Sequence, residues 1–174
     1  MNDKIKLIEK SIRLIPDFPK PGILFRDITT LLSDAEAFKT VIDIISDKVK
    51  ETGANKVIGI ESRGFIFASA VAYKLGLGLI LVRKPGKLPW KTVKEEYSLE
   101  YGTDALEIHE DAVSKGEKVV VIDDLLATGG TAAAVGKLTE RLGGKVASYM
   151  FVVELKDLNG KSKLNSEVFS VLSY

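Results

Sequence analysis

The segment Val119-Val120-Val121-Ile122-Asp123-Asp124-Leu125-Leu126-Ala127-Thr128-Gly129-Gly130-Thr131 leaves this chain few folds to choose from. Four consecutive β-branched apolar residues favour a strand, and the missing polar alternation means that both of its faces are covered. Two adjacent carboxylates mark the expected end of the strand, and a Thr-Gly-Gly-Thr turn leads on into a helix. Such an order puts acids and converging backbone N–H groups at the carboxyl edge of a sheet, where open α/β folds bind ligands. Paired carboxylates beside an anion-binding turn suit a ligand with both hydroxyls and phosphate, such as a phosphorylated sugar.

The rest of the chain agrees with an α/β rhythm. Val57–Ile60 reads as a strand, Gly64–Leu75 as a helix and Leu79–Val82 as a strand; Ala132–Leu142 is then a helix and Val146–Val153 a strand. Strands alternating with helices of this length predict a parallel sheet with crossover connections. Between them, Val93–Tyr101 and Ala105–His109 flank Gly102-Thr103-Asp104, which predicts a β-hairpin arm within about residues 84–109. Ile5, Ile8, Ile12 and Ile15 recur at helical spacing and predict a helix over residues 3–14. Pro16, Pro19, Pro21 and Gly22 stop it. Phe38, Val41, Ile42, Ile45 and Val49 mark one face of a second helix, capped by Ser33 or Asp34 and followed by Gly53.

Composition narrows the chemistry. The 174 residues fit one α/β domain, and a hydrophobic content of 45% is that of a globular protein. A net charge of +1 gives no global pull towards nucleic acid or anionic membrane, so any anion site is local. With no cysteine and one histidine, His109, there is neither thiol chemistry nor a multi-histidine metal site. No apolar run approaches the ~20 residues that span a bilayer. No signal-peptide core is found near Met1, and the expectation is a soluble, cytoplasmic protein.

Each candidate segment has a bland reading beside a chemical one. Asp123 and Asp124 could be a turn cap and a solvated acid, yet like charges crowded at a sheet edge call for a polar or cationic ligand. The glycines of Ala127–Thr131 permit close approach of a phosphate to the free N–H groups of a helix start, although many strand–helix turns contain glycine. No Gly-Lys-Ser/Thr closes the turn, so it is not a Walker A loop. Glu61-Ser62-Arg63-Gly64-Phe65 occupies the same topological place after an earlier strand. It is either an ordinary helix start, capped by Ser62, or a diphosphate holder with a fork-shaped Arg63. Arg83-Lys84-Pro85-Gly86-Lys87 is either a solvated charge run or a cation cluster for diphosphate. Glu100 reads most simply as an exposed strand residue, Pro19–Asp27 as a loop burying its apolar residues, and His109 as structural or exposed.

The Asp123–Thr131 segment resembles the phosphoribosyl-diphosphate signature of type I phosphoribosyltransferases, and its wording is similar to that of the adenine phosphoribosyltransferase family. Five motifs in the family's order cover about residues 15–155. The resemblance implies an open, twisted, mainly parallel sheet flanked by helices, with a small N-terminal hood over about residues 1–33 and the hairpin as a lid, all in one domain. It implies that adenine and 5-phosphoribosyl 1-diphosphate become AMP and diphosphate with Mg²⁺, in purine salvage. Asp123 and Asp124 would hold the ribose, and Ala127, Thr128, Gly129, Gly130 and Thr131 the 5′-phosphate. Glu61, Ser62, Arg63, Gly64, Arg83, Lys84 and Lys87 would hold diphosphate, with the Glu61–Ser62 peptide cis. Leu24, Phe25, Arg26 and Leu155 would take adenine, the ring lying between Phe25 and Leu155.

By the same resemblance Glu100 would approach adenine N7, Tyr101 would lie near the reaction centre, and Arg63 would act on the leaving group. Mg²⁺ would be carried by the substrate diphosphate and water rather than by direct protein ligands, and the chain would be a homodimer. Two other functions compete. One is transfer to a different purine base, against which the Leu24–Arg26 hood argues. The other is a ligand-sensing regulator without catalysis, for which the chain offers no basic recognition helix.

Overall fold

A computed structural model describes residues 2–98 and 102–174. The chain divides into two compact units, Met1–Ile44 and Ile45–Tyr174.

In the N-terminal unit, helix α1 (Asn2–Ser11) buries Ile8, and Ile12 just past its end is buried too. It stops three residues short of the end that its periodicity predicts, at Ser11, whose hydroxyl donates to the Ile8 carbonyl at 2.7 Å. Arg13–Ile15 (β1) instead pairs antiparallel with Phe25–Asp27 (β2), so a ladder satisfies backbone groups that a further helical turn would have used. The Asp27 carboxylate then accepts the Thr29 N–H at 2.9 Å as a short helix, α2 (Thr29–Ser33), begins. Of the two expected caps for α3 (Ala35–Thr52), Asp34 performs the task. Its Oδ1 accepts the Glu36 and Ala37 N–H groups at 3.0 and 2.9 Å. Gly53, at φ 65°, follows the end of α3.

The second unit contains β3 (Lys56–Ile60), α4 (Gly64–Leu75), β4 (Gly78–Val82), β5 (Thr92–Ser98), β6 (Thr103–His109), β7 (Lys118–Leu126), α5 (Gly130–Arg141), β8 (Lys145–Glu154) and β9 (Glu167–Ser173). Five strands form a parallel sheet in the order β4-β3-β7-β8-β9, and β5 pairs with β6 as a separate antiparallel hairpin. From β3 the chain passes to β4 on one side, and it later returns through β7 on the other. The carboxyl ends of β3 and β7 therefore flank a topological switch point, the crevice that open α/β sheets offer to ligands.

One apolar cluster holds this unit. Ile58 and Ile60 of β3, Val119 and Val121 of β7, and Tyr149 and Phe151 of β8 meet Val135 and Leu138 of α5. Leu106 and Ile108 of β6 join the same cluster, so the hairpin is packed and not a loose arm. Each such fully buried aliphatic contributes roughly 1.5–3 kcal/mol. Polar ties reinforce the packing: Arg141 Nη1 donates to the Lys94 carbonyl at 2.6 Å, and Lys137 meets Glu95 at 3.2 Å.

Strand β7 is longer than its apolar run. It continues through Asp123 and Asp124 to Leu126 because β8 keeps pairing with it, Asp123 opposite Phe151 and Leu126 opposite Glu154. The acids thus belong to the strand and do not follow its end. Helix α5 correspondingly starts at Gly130, two residues before the expected Ala132. Strand β9 pairs parallel to β8 after two short 3₁₀ turns, Lys156–Leu158 and Gly160–Lys163. No helix among the described residues is long and apolar enough to cross a membrane.

Candidate active site

Three parallel strand ends and the hairpin surround a cavity of about 400 Å³. Glu61, Ser62 and Arg63 enter it from beyond β3, Lys84 from beyond β4, and Asp123, Asp124, Ala127 and Thr131 from β7 and its turn. Tyr97, Asp104 and Leu106 close it from the hairpin. A smaller volume of about 70 Å³ shares Asp123, Ala127 and Thr131 and adds Thr128 and Gly129, so it lies in the glycine turn itself.

The paired acids differ in their partners. Asp124 Oδ2 lies 2.6 Å from Arg63 Nε, while Asp123 Oδ1 accepts the backbone N–H of Asp124 at 2.9 Å. Burial, and then the neighbouring Asp124 charge, push the Asp123 carboxyl well above the usual carboxylate range. Of the two acids only Asp124 has a direct cation contact, and a hydroxyl donor or cation beside Asp123 would favour its ionised form.

The two strand-to-helix turns approach closely. A Cβ at Gly64 would lie 2.7 Å from Asp123 Oδ1 and 2.9 Å from the Ile122 carbonyl oxygen, so glycine is needed there for contact between the turns. The peptide Glu61–Ser62 is cis. Ser62 caps nothing with its side chain; its carbonyl accepts the Phe65 N–H at 3.3 Å. Glu61 serves as a clamp for the next strand end. Its carboxylate accepts Arg83 Nε at 3.2 Å, Arg83 Nη2 at 3.1 Å and the Lys84 N–H at 3.0 Å. The hydrogen bond from Arg83 is the leading cause that holds Glu61 below its ordinary value. In the other turn, Gly129 at φ 78° precedes α5 directly.

The cation loop is tied to the hairpin. Arg83 and Glu107 exchange backbone hydrogen bonds at 3.0 and 2.7 Å, and the Gly86 N–H donates to Glu107 Oε2 at 3.1 Å. Lys84 Nζ reaches Asp104 Oδ2 at 2.7 Å. That contact raises the Lys84 pKa and lowers that of Asp104. Tyr97, whose hydroxyl donates to the same carboxylate oxygen at 3.4 Å, is raised chiefly by burial. Arg63, Arg83 and Lys84 are therefore each matched with a carboxylate, and an arriving anion would exchange partners with them instead of meeting bare charge.

The structure gathers Glu61, Ser62, Arg63, Lys84, Asp123, Asp124, Ala127 and Thr131 round one cavity, with Arg83 behind Glu61. Glu100 and Tyr101 lie outside the described residues. Leu24, Phe25 and Arg26 belong to the N-terminal unit. There Leu24 is 46% exposed, and the Phe25 ring stands edge-on to Phe18 at 5.1 Å. Leu155, in the second unit, donates its N–H to the Leu126 carbonyl at 2.9 Å, just below the glycine turn. His109 is half-buried and edge-on to Trp90 at 6.3 Å.

Sequence reasoning missed Tyr97, Asp104 and Leu106 as lining residues. A signal was present, since period-2 alternation puts residues 104, 106 and 108 on one face of β6.

The phosphoribosyl transferase domain family matches residues 27–172 of the chain. The adenine phosphoribosyltransferase of Aeromonas salmonicida is 52% identical over 98% of this chain and 94% of its own. The chain belongs to the adenine phosphoribosyltransferase family. The family member from Thermoanaerobacter pseudethanolicus has the same fold, with a TM-score of 0.94 at 49% identity, covering 98% of this chain and 99% of its own. The Saccharomyces cerevisiae member superposes with a TM-score of 0.95 at 39% identity over 99% of this chain and all of its own. Its structure contains adenine and D-2,5-dideoxy-2,5-imino-altritol 1,6-bisphosphate. The parallel sheet and flanking helices expected of the family are thus present here.

Proposed function

We propose that the chain transfers the 5-phosphoribosyl group of 5-phosphoribosyl 1-diphosphate to adenine in purine salvage. Adenine N9 forms a bond to ribose C1 as the bond from C1 to the diphosphate oxygen breaks, and AMP and diphosphate leave. The observation that carries this reading is the single cavity in which two carboxylates and a glycine turn on β7 face cations set on β3 and β4.

Asp123 and Asp124 accept hydrogen bonds from the ribose 2′- and 3′-hydroxyls and favour positive charge on the ribose as C1 loses its leaving group. Burial chiefly, and then the Asp124 charge, raise the Asp123 pKa, and a hydroxyl donor or developing cation beside it would favour the ionised form. Ala127–Thr131 holds the 5′-phosphate through backbone N–H groups and the threonine hydroxyls. Arg63, Arg83, Lys84 and Lys87 take the diphosphate, with Glu61 keeping the Arg83 fork oriented until it arrives.

Among the described residues no group of three or more His, Asp and Glu side chains could hold a metal. The donors at the site are carboxylate oxygens, which suit Mg²⁺ carried by the sugar diphosphate and its waters. When bound, Mg²⁺ supplies charge neutralisation on the departing diphosphate.

Adenine falls to the backbone at Leu24 and to Phe25, Arg26 and Leu155. Glu100 accepts the N7 proton as positive charge grows on the purine, with Tyr101 close by. A homodimer in the cytoplasm completes the reading, with lid lysines contributing to either subunit's site. The deciding experiment supplies the sugar diphosphate and Mg²⁺ with adenine, hypoxanthine, guanine or uracil. AMP is the expected main product; preferential use of another base refutes adenine, and ligand binding without any nucleotide product refutes catalysis.

A further inference from the structure

Gly160 is buried although it lies in a connection between strands. It is not among the glycines with positive φ, so no special backbone conformation calls for glycine there. Contact does. A Cβ at Gly160 would collide with the Ala127 carbonyl oxygen, and would lie 2.9 Å from Leu126 Cδ1 and 3.0 Å from Gly129 N. The exclusion is mutual, since a Cβ at Gly129 would collide with the Gly160 carbonyl oxygen and lie 3.1 Å from the Gly160 Cα. Two stretches of backbone thus touch with no side chain between them.

We infer that Gly160 is a positioning residue for the 5′-phosphate, the floor on which the Ala127–Gly129 turn is set. This rests on the reading of Ala127–Thr131 as the phosphate cradle. A Gly-Gly turn is intrinsically free to adopt many shapes, and its N–H groups bind an anion well only if they converge before it arrives. Gly160 restricts that freedom from below.

The floor is itself anchored. Leu155 N–H donates to the Leu126 carbonyl at 2.9 Å, and Lys156 N–H to the Tyr174 carbonyl at 2.7 Å. Lys161 Nζ meets Glu154 Oε2 at 2.9 Å. The three nearest neighbours of a Gly160 Cβ all belong to the end of β7 and its turn, so its influence falls on the 5′-phosphate and not on the diphosphate cations.

Calorimetric titration of wild type and Gly160→Ala with ribose 5-phosphate and, separately, with inorganic diphosphate and Mg²⁺ tests this. The variant is expected to bind ribose 5-phosphate about tenfold or more weakly, as overpacking against backbone requires. Its diphosphate affinity stays within about twofold, as for sites without shared contacts. The KM for the sugar diphosphate rises while that for adenine holds. Unchanged ribose 5-phosphate affinity, or equal loss for both ligands, overturns the inference.

The cradle reading is tested apart from it. If ribose 5-phosphate leaves amide hydrogen exchange across 127–131 of the wild-type chain unchanged, that reading fails whatever Gly160 does. Should Gly160→Ala not fold, amide hydrogen exchange of the wild-type chain decides. Ribose 5-phosphate should slow exchange across 156–163 as well as 127–131, and diphosphate should leave 156–163 unaffected. No slowing at 156–163 with ribose 5-phosphate overturns the floor.

Discussion

The β3–α4 and β7–α5 turns occupy equivalent places in the sheet and offer a ligand opposite means of binding. The first carries Glu61 and Arg63, whose side chains reach Arg83 and Asp124. The second offers mostly backbone, with Gly129 at φ 78° and a helix starting at once behind it. The difference follows the chemistry proposed for each. A 5′-phosphate keeps its charge and place throughout the reaction, so fixed N–H groups serve it. A departing diphosphate gains charge and must later leave, so forked side chains that can change partners serve it better.

Five variants, one of them a control, can break or sharpen this contrast. The largest effect belongs to Asp123→Asn with Asp124→Asn, which removes the acids between the two turns. Initial rates should show kcat/KM for the sugar diphosphate falling on the order of a thousandfold or more. Near-normal turnover would sink the role given to β7.

Gly64→Ala comes next, because its methyl would press on Asp123 and the Ile122 carbonyl and force the turns apart. Overpacking of this kind costs about 1–3 kcal/mol in denaturant titration, and turnover should drop as well. Gly76→Ala is its control: nothing lies within 4 Å of a Cβ there, and φ is 66°. It should lower stability alone.

Arg83→Lys keeps the charge but loses the two-pronged contact with Glu61. Diphosphate affinity should weaken by about tenfold, with ribose 5-phosphate affinity unmoved. Equal loss for both ligands would erase the division between the turns.

The smallest effect is a gain. A carboxyl whose folded pKa lies above its unfolded value binds more protons when folded, so its contribution to stability falls as pH rises between the two. For Asp123 that window opens at its usual value of 3.8 and runs up to its raised one. Above it the ligand-free wild type carries the full penalty. Asp123→Asn should therefore melt at higher temperature than wild type at pH 7, with the gap narrowing as pH falls towards 4. A gap that widens on acidification would contradict the assigned direction.

Much of this arrangement was legible because local signals coincide with it. Helix α4 has the expected bounds, Gly64–Leu75, since close packing demands glycine at its start and Gly76 adopts φ 66° at its end. The apolar run of β7 and the glycine turn after it were equally plain. What escaped depends on partners distant in sequence. Pairing with β8 carries β7 through its acids, and pairing with β2 puts Arg13 and Leu14, expected to be helical, into a strand. Strand β9 has no regular alternation of polar and apolar residues, and shows itself only beside β8. Asp104 reads as a hairpin-turn residue, and no sequence signal singles out Gly160. Their roles come from Lys84 and Gly129, which only the folded chain brings near.

The pairing of β3 with β7 has one more consequence. Val57 lies opposite Val120, and Gly59 opposite Ile122. This ladder sets how far the β3–α4 turn stands from the β7–α5 turn, and a slip by one residue would shift the spacing by about 3.3 Å. The sheet is thus a ruler with coarse graduations, and for a ligand bound as proposed it would gauge the span between the two charged ends. Molecules that differ in that span would be judged by buried hydrogen bonds none of them touches. By the same proposal, those that differ only in the base would be judged elsewhere in the chain.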